Sequence, residues 1–273
     1  MVTAMRESSS RSFFRLIFLI FSFVTLSGCE FSLILHKDIF LAQKYLDERK
    51  FASAAAVFED LLKKSIEKDT RVKVLYQLGD IYYLYLNRPR MAVKKYEEIL
   101  SSGEVYWQIQ ALERMAEIEF QYLRNYQDAI KHYQTLSEFN PKLKNYDFYQ
   151  LQIANSLVEI SQEDKATKLY EQLAKDKDST YKGEALYYLG RLYFRSAKWK
   201  KSLVTWQDYL KCDQQTKERA TEVKFYMANT HEMLNQLTEA YGLYYSLLDS
   251  YPNIELVKTR LKSVYARRVA RKR

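Results

Sequence analysis

The chain has 273 residues, of which 47% are hydrophobic, 15% aromatic and 28% charged, and its formal net charge is +9. This apolar content is too high for an intrinsically disordered chain, so we expect a folded protein. Only 6 Gly and 3 Pro are present, too few for the tight turns of an all-β or doubly wound fold, which favours an all-α fold. Because there are only 2 Cys and 3 His, a disulfide framework or a structural zinc site is not expected, and neither is a cofactor.

The N-terminal segment is predicted to be a secretory signal peptide covering residues 1–28. Basic residues precede an apolar run over residues 16–24, which is the layout of an export signal. The stretch between Arg15 and Glu30 is too short for a permanent transmembrane helix, which needs about 20 residues. The basic residues are Arg6, Arg11 and Arg15.

Four residues directly after the apolar run, Leu26-Ser27-Gly28-Cys29, resemble the lipobox of bacterial lipoproteins. In that family the cysteine is diacylated and becomes the first residue after cleavage. The resemblance implies lipidation of Cys29, a short tether over residues 29–34 and a stable attachment through several acyl chains. Since Glu30 is not the Asp that retains lipoproteins in the inner membrane, it also implies sorting to the outer membrane, facing the periplasm. The alternative is an uncleaved signal anchor that continues past Glu30, and the charge of Glu30 argues against it.

From about residue 35 the chain repeats itself every 36 to 38 residues, a period typical of solenoids. Each repeat carries a small residue, an aromatic residue four positions later and, in most repeats, an aliphatic residue three positions after that, so the three share one helical stripe. The small residues are Ala54, Ala92, Ala129, Ala166, Ser202 and Ala240. The aromatic residues are Phe58, Tyr96, Tyr133, Tyr170, Trp206 and Tyr244, and the third position is held by Leu61, Ile99, Leu136, Leu173, Tyr209 and Leu247.

A second small residue precedes each of these by 12 or 13 positions, which predicts helix pairs, since antiparallel helices approach closely only where neither has a bulky side chain. The second small residues are Ala42, Gly79, Ala116, Ala154, Gly190 and Ala228. This spacing resembles the tetratricopeptide repeat. The resemblance implies an all-α fold, a right-handed α-solenoid of about six helix pairs over residues 35–253, with longer helices or turns than the usual 34-residue repeat. The alternative is a non-repeating helical bundle.

After Pro252 an amphipathic helix over residues 254–273 is predicted to cap the stack, with apolar residues from Ile254 to Tyr265 on one side. Residues 258–273 carry eight positive charges and no acidic residue, whereas the mature chain before them is nearly neutral. An exported lipoprotein does not meet nucleic acid, so we expect this tail to contact anionic lipid, a wall polymer or an acidic protein face. The alternative is a solvated helix end. The tail cations assigned to this contact are Arg267, Arg268, Arg271, Lys272 and Arg273.

The resemblance to tetratricopeptide arrays also implies where partners bind, because there the solvent-facing side chains of each first helix contact the partner. An aromatic and charged mixture at these positions is typical of peptide-binding surfaces. The alternative is that a Tyr-rich helical protein places Tyr on every face. The positions predicted to bind partners are Tyr76, Asp80, Tyr83, Asn155, Tyr187, Tyr188, Arg191, Phe194, Arg195, Tyr226 and Asn229, and the same count adds Glu113, Glu117 and Phe120 in the third repeat and Phe225 in the sixth.

No constellation for catalysis is visible in the sequence. The three histidines, His36, His132 and His231, belong to different repeats, and no metalloprotease, serine-hydrolase or nucleotide-binding motif occurs. We therefore expect a protein that is not an enzyme. Cys212 would be left unpaired once Cys29 carries lipid.

Taken together, the sequence predicts a periplasmic scaffold anchored in the outer membrane that docks other envelope proteins. Its architecture resembles the BamD lipoprotein of the β-barrel assembly machinery and the pilotin lipoproteins of type IV pili, which combine a lipobox with tetratricopeptide repeats. That resemblance implies a role in outer-membrane protein or pilus assembly, although neither family's functional residues can be matched by motif. The alternatives are a scaffold for cell-wall synthesis or division that uses the basic tail and, more remotely, an envelope hydrolase.

The lipobox generates the first testable prediction. Mass spectrometry of the protein from its native membrane should find Cys29 as an acylated N-terminal residue, and Cys29→Ser should leave an uncleaved chain without lipid. A mature chain that begins elsewhere and carries no acyl group would contradict the lipoprotein interpretation.

Overall fold

The computed structural model describes residues 36–271, so the leader, Cys29, the tether and the last two residues, Lys272 and Arg273, lie outside the described residues. Over residues 36–271 the chain forms helices joined by turns, with no β-strand. The described part of the first helix, α1, covers residues 36–47. The other helices are α2 (Phe51–Leu62), α3 (Lys68–Asp80), α4 (Pro89–Leu100), α5 (Val105–Ile118), α6 (Tyr126–Ser137), α7 (Tyr146–Glu159), α8 (Glu163–Lys175), α9 (Lys182–Arg195), α10 (Trp199–Leu210), α11 (Lys217–Met233), α12 (Leu237–Ser246) and α13 (Ile254–Ala270).

The chain divides into two compact units between Ile118 and Glu119. Unit 1 contains α1 to α5, and unit 2 contains α6 to α13. Within each unit consecutive helices pack on one another, from α2 to α5 in unit 1 and from α6 to α13 in unit 2. Because the connections are short, neighbouring helices of the same unit run antiparallel.

The predicted repeat register is confirmed by burial. All twelve small residues are buried, and ten of them have no exposed surface. The aromatic residue four positions after the small residue of each second helix is at most 3% exposed in every repeat. A Cβ atom at Gly190 would lie 2.1 Å from Nε1 of Trp206, and one at Gly79 would lie 2.5 Å from Cε1 of Tyr96. The aromatic rings therefore use the space that the absent side chains leave.

The structure explains the two repeats with the longer internal spacing. Gly79 and Ala116 precede their partner small residues by 13 positions, whereas the other four first-helix residues do so by 12. In these two repeats a π-helical turn follows the first helix, at Ile81–Tyr85 and at Glu119–Leu123. A π turn replaces the i→i+4 hydrogen bonds of the α-helix by i→i+5 bonds and so accommodates one additional residue, which absorbs the extra residue there.

One non-glycine residue in the left-handed conformation lies in the turn that follows each first helix. The φ angles of these six residues lie between 51° and 62°. This conformation reverses the chain and satisfies carbonyl groups at the helix end, a role that glycine more often fills. It explains how a chain with so few glycines forms repeated tight turns. The residues are Arg49, Asn87, Arg124, Ser161, Ala197 and Asn235.

The last helix, α13, packs on α12 through Val257 and Val264, which have no exposed surface. The predicted apolar side is narrower than expected, because Ile254 is 42% exposed and Tyr265 is 53% exposed. Ile254 is the first residue of the helix, and Tyr265 is turned about 100° away from the buried Val264. Among the helices of residues 36–271, none combines the length and apolar character needed to cross a bilayer.

The close approach at Gly190 predicts a difference between two glycines. Gly190→Ala should lower the free energy of unfolding by about 1 to 3 kcal/mol, because the added methyl group overlaps the Trp206 ring. Gly242→Ala should raise it by about 0.5 to 1 kcal/mol, since that position lies inside α12 with open space around it. Chemical denaturation of both variants measures the two changes, and changes of the same sign would contradict this packing.

Candidate functional site

Unit 2 contains a groove with a volume of about 470 Å³. Side chains of three successive first helices, α7, α9 and α11, supply most of its walls. Six of the residues predicted to bind partners lie together here, and Phe120 joins them. The lining residues are Phe120, Gln152, Asn155, Val158, Glu159, Tyr170, Tyr188, Arg191, Leu192, Phe194, Arg195 and Tyr226. We call this the unit 2 groove.

A recurring hydrogen bond explains several polar residues that the sequence assigned to partner binding. In three repeats the residue directly after the small residue of the first helix accepts a hydrogen bond from the tyrosine hydroxyl of the second helix. A buried hydroxyl needs such an acceptor, so these side chains complete the packing of their own helix pair and are not free to bind a partner. The pairs are Tyr96 with Asp80 (2.7 Å), Tyr170 with Asn155 (2.6 Å) and Tyr244 with Asn229.

The fifth repeat departs from this pattern at both positions. Trp206 replaces the tyrosine, and Arg191 replaces the acceptor. Within the described residues, the indole Nε1 of Trp206 has no hydrogen-bond partner. Arg191 is exposed, its guanidinium lies 5.6 Å from the ring centroid of Tyr187, and no carboxylate of residues 36–271 lies within 4.0 Å of it. Burial would lower the pKa of Arg191, but Tyr187, Tyr226 and Glu222 outweigh it and raise that pKa. Arg191 therefore has internal neighbours, but it has no ion pair within 4.0 Å among residues 36–271.

The second cation of the groove, Arg195, is already paired. Its Nη2 lies 2.7 Å from Oε1 of Glu163, whose other oxygen accepts a hydrogen bond from the Ser196 hydroxyl at 3.0 Å. Burial alone would raise the pKa of Glu163, but the hydrogen bonds from Ser196 and Arg195 outweigh it and lower that pKa below its ordinary value. Glu159 is the acidic residue of the groove lining, and it is exposed.

The aromatic side chains of the groove are held in place by rings behind them. Tyr188 stacks on Tyr170 with centroids 6.0 Å apart, and Tyr226 stacks on Trp206 at 5.3 Å. Phe194 lies 5.7 Å from Tyr226. Because these rings are already ordered, a ligand that packs on them loses little additional side-chain entropy.

The prediction that Tyr83 and Tyr187 face solvent is wrong, since they are 8% and 5% exposed. The hydroxyl of Tyr187 donates a hydrogen bond to Oε2 of Glu222 at 2.8 Å, so this side chain points to α11 of the next repeat. Burial and the nearby Glu222 carboxylate raise the pKa of Tyr187. Tyr83 lies inside a π turn, which changes the angle between successive side chains and turns it inward.

In unit 1 the predicted residues Tyr76 and Asp80 belong to an internal network. The Nε of Arg114 lies 3.4 Å from the Tyr76 hydroxyl and 3.7 Å from Oδ1 of Asp80, and its Nη1 lies 3.2 Å from Glu117. Burial raises the pKa of both Tyr76 and Asp80. The cation of this network is therefore neutralised inside the unit, in contrast to Arg191.

Three of the tail cations assigned to external anions also have contacts within the chain. Arg267 Nη1 lies 2.7 Å from Oε1 of Glu232, whose side chain is only 10% exposed. Arg271 donates to the backbone carbonyl of Asn235 at 3.3 Å, and Arg268 lies 5.1 Å from the ring centroid of Tyr241. The end of α11 presents carbonyl groups and a carboxylate, which attract cations, and so these residues hold α13 on the last repeat. Lys272 and Arg273 lie outside the described residues.

Gln152 and Glu159 also line the groove, and the sequence pattern does not predict them. They stand three positions before and four positions after Asn155, so all three share one face of α7, and helical periodicity was the signal that would have found them. Tyr170 was predicted as core, and it is buried, but it also lines the groove. Over residues 36–271 no group of three or more His, Cys, Asp or Glu side chains is placed to hold a metal ion.

Comparisons with known proteins agree with this architecture. Residues 222–253 match the tetratricopeptide repeat family. None of the curated proteins matches the chain in sequence. The predicted all-α fold of tetratricopeptide-type helix pairs is confirmed.

Three solved structures illustrate the likeness. The apo form of the quorum sensor NprR from B. thuringiensis is 19% identical with a TM-score of 0.53, over 86% of this chain and 70% of NprR. PilW, a type IV pilus biogenesis factor, is 16% identical with a TM-score of 0.52, over 85% of this chain and 98% of PilW. Pseudomonas aeruginosa PilF is 11% identical with a TM-score of 0.51, over 85% of this chain and 97% of PilF. At these identities the likeness shows the fold alone.

The contacts of the tail generate a prediction about stability. Arg267→Ala should lower the free energy of unfolding by about 0.5 to 1 kcal/mol, a modest change because the arginine side chain is 46% exposed. Lys262→Ala on the exposed side of the same helix is the control and should change it by less than about 0.5 kcal/mol. Thermal unfolding followed by circular dichroism measures both changes. Equal effects would mean that the Arg267 contact does not stabilise the fold and would favour the alternative of a solvated helix end.

Proposed function

We propose that this protein is a non-catalytic adaptor that docks a short segment of a partner protein in the unit 2 groove. The observation that carries the proposal is Arg191, an exposed guanidinium without a carboxylate partner among residues 36–271, set between ordered aromatic rings. A volume of about 470 Å³ accommodates a few side chains, which suits a peptide segment better than a flat protein surface. Tyr and Arg are also the residue types that contribute most to protein binding energy.

We further propose that the adaptor is anchored by lipid on Cys29 at the outer membrane and faces the periplasm. The support is the run Leu26-Ser27-Gly28-Cys29 after an apolar segment. Residue 36, where the described helix α1 begins, follows Cys29 by seven positions, a distance of at most about 25 Å in an extended chain. Such an anchor would keep unit 1 close to the membrane.

The pathway that we propose is type IV pilus assembly. The support is the fold shared with PilW and PilF, both of which this chain matches over nearly their whole length, 98% and 97%. A scaffold that contacts the cell wall through its basic tail has less support, because Arg267, Arg268 and Arg271 already have partners within the chain. Deleting the gene should reduce surface piliation, and a Cys29→Ser gene should not restore it.

Site-specific photocrosslinking in cells tests the docking groove. A photoreactive phenylalanine at Tyr188, inside the groove, should give an adduct with an envelope protein, and adding Phe194→Ala should remove it. The control is the same probe at Tyr245, which is 62% exposed on α12 and does not line the groove. Equal adducts from both positions, or adducts that Phe194→Ala does not change, would contradict docking in the groove.

A further inference from the structure

We infer that the segment bound in the unit 2 groove carries a carboxylate that pairs with Arg191 beside an aromatic or aliphatic side chain. The inference rests on the proposed function and gives the chemistry of its ligand. It follows from three observations: the charges of the groove, the row of side chains along α9 and the two linked departures of the fifth repeat.

The charges favour a single carboxylate. Among the described cations that line the groove, Arg195 is held by Glu163, whereas Arg191 has no ion pair. Glu222, the carboxylate next to Arg191 in the neighbouring repeat, accepts the hydrogen bond from Tyr187. A guanidinium binds a carboxylate with two parallel hydrogen bonds and therefore gains more from this ligand than from a neutral one. A polyanion or an anionic lipid surface would instead need several free cations in the groove.

The row along α9 places apolar contacts on both sides of that carboxylate. Tyr188 and Phe194 stand three positions before and three positions after Arg191, so the three side chains follow one another along one helix face. Each step is about 4.5 Å along the helix axis, while an extended segment advances about 3.3 Å per residue. The ligand's apolar side chain should therefore lie one or two residues from its acidic one.

The two departures of the fifth repeat depend on each other chemically. A guanidinium has only donors, so it cannot accept the hydrogen bond that a tyrosine hydroxyl offers at this position in other repeats. Trp206 removes that hydroxyl, and its ring packs against Gly190, directly before Arg191. Together the changes release the position from its internal role, which the acceptors Asp80, Asn155 and Asn229 retain elsewhere. A cation placed there without an ion pair within 4.0 Å among residues 36–271 can pair with an external carboxylate.

Selection from a random peptide library tests the inference. Twelve-residue peptides displayed on phage are selected on the purified full-length chain. We expect enriched peptides to contain Asp or Glu within two residues of Phe, Tyr, Trp or Leu. The same selection on Arg191→Glu should enrich Lys or Arg at that place, because the charge that the peptide faces is reversed.

Binding of one enriched peptide, labelled with fluorescein, is then measured by anisotropy. Two single changes should each weaken binding by about tenfold or more: the corresponding amide in place of the acidic residue of the peptide, and Arg191→Gln in the protein. Because both changes remove the same ion pair, the two together should weaken binding little further. Arg191→Lys should restore part of the affinity. Lys200→Gln, on an exposed position of α10 outside this groove, is the control and should leave binding unchanged.

Two results would overturn the inference, and they differ in what they say of the proposed function. In the first result, peptides bind and Phe194→Ala weakens their binding, but the acid-to-amide change and Arg191→Gln do not. The groove would then dock peptides without recognising a carboxylate. If no selected peptide responds to Phe194→Ala or to Arg191→Gln, both the inference and docking in this groove fail. Circular dichroism melts that match the unsubstituted chain establish that each variant is folded.

Discussion

The close approach of paired helices at small residues is the interaction on which the rest of the structure depends. Gly190 and Ser202 have no side chain large enough to hold α9 and α10 apart, and the Trp206 ring takes the remaining space. Because a void or an overlap at such a contact weakens packing on both sides, the same residue types return in every repeat. The two small residues of a pair are then 12 positions apart, or 13 where a π turn absorbs one extra residue.

The packing aromatic residue brings a polar group into the core, and that group decides which surface positions are available for function. Where the residue is a tyrosine, as at Tyr96 or Tyr170, its hydroxyl takes the neighbouring polar side chain as acceptor. In the fifth repeat Trp206 has no hydroxyl that needs an acceptor, so the neighbouring position can hold Arg191, which has no ion pair within 4.0 Å among residues 36–271. The candidate site thus departs from a hydrogen bond that stabilises three of the other repeats.

Net charge by itself was a poor guide to that site. The chain is basic, and the densest group of cations is at its C-terminus, yet Arg267 and Arg271 are bound to Glu232 and to the backbone end of α11. A cation paired with a mostly buried carboxylate stabilises the fold and offers little to a partner. Arg191 contributes one charge among many, but it lies in a groove and has no ion-pair partner in the described chain.

The sequence alone determined the helix pairs and their register, because the spacing of Ala, Gly and aromatic residues follows from helical geometry. It also determined that a first-helix face near Arg191 would carry aromatic residues and charge. Only the tertiary structure decided which of those residues are available to a partner. Tyr187 donates a hydrogen bond to the next repeat and Asn155 accepts one from Tyr170, whereas Arg191 has no ion pair within 4.0 Å among residues 36–271. Exposure and hydrogen-bond partners at these positions depend on side chains about 15 to 35 residues away in the chain, and a local pattern does not contain that information.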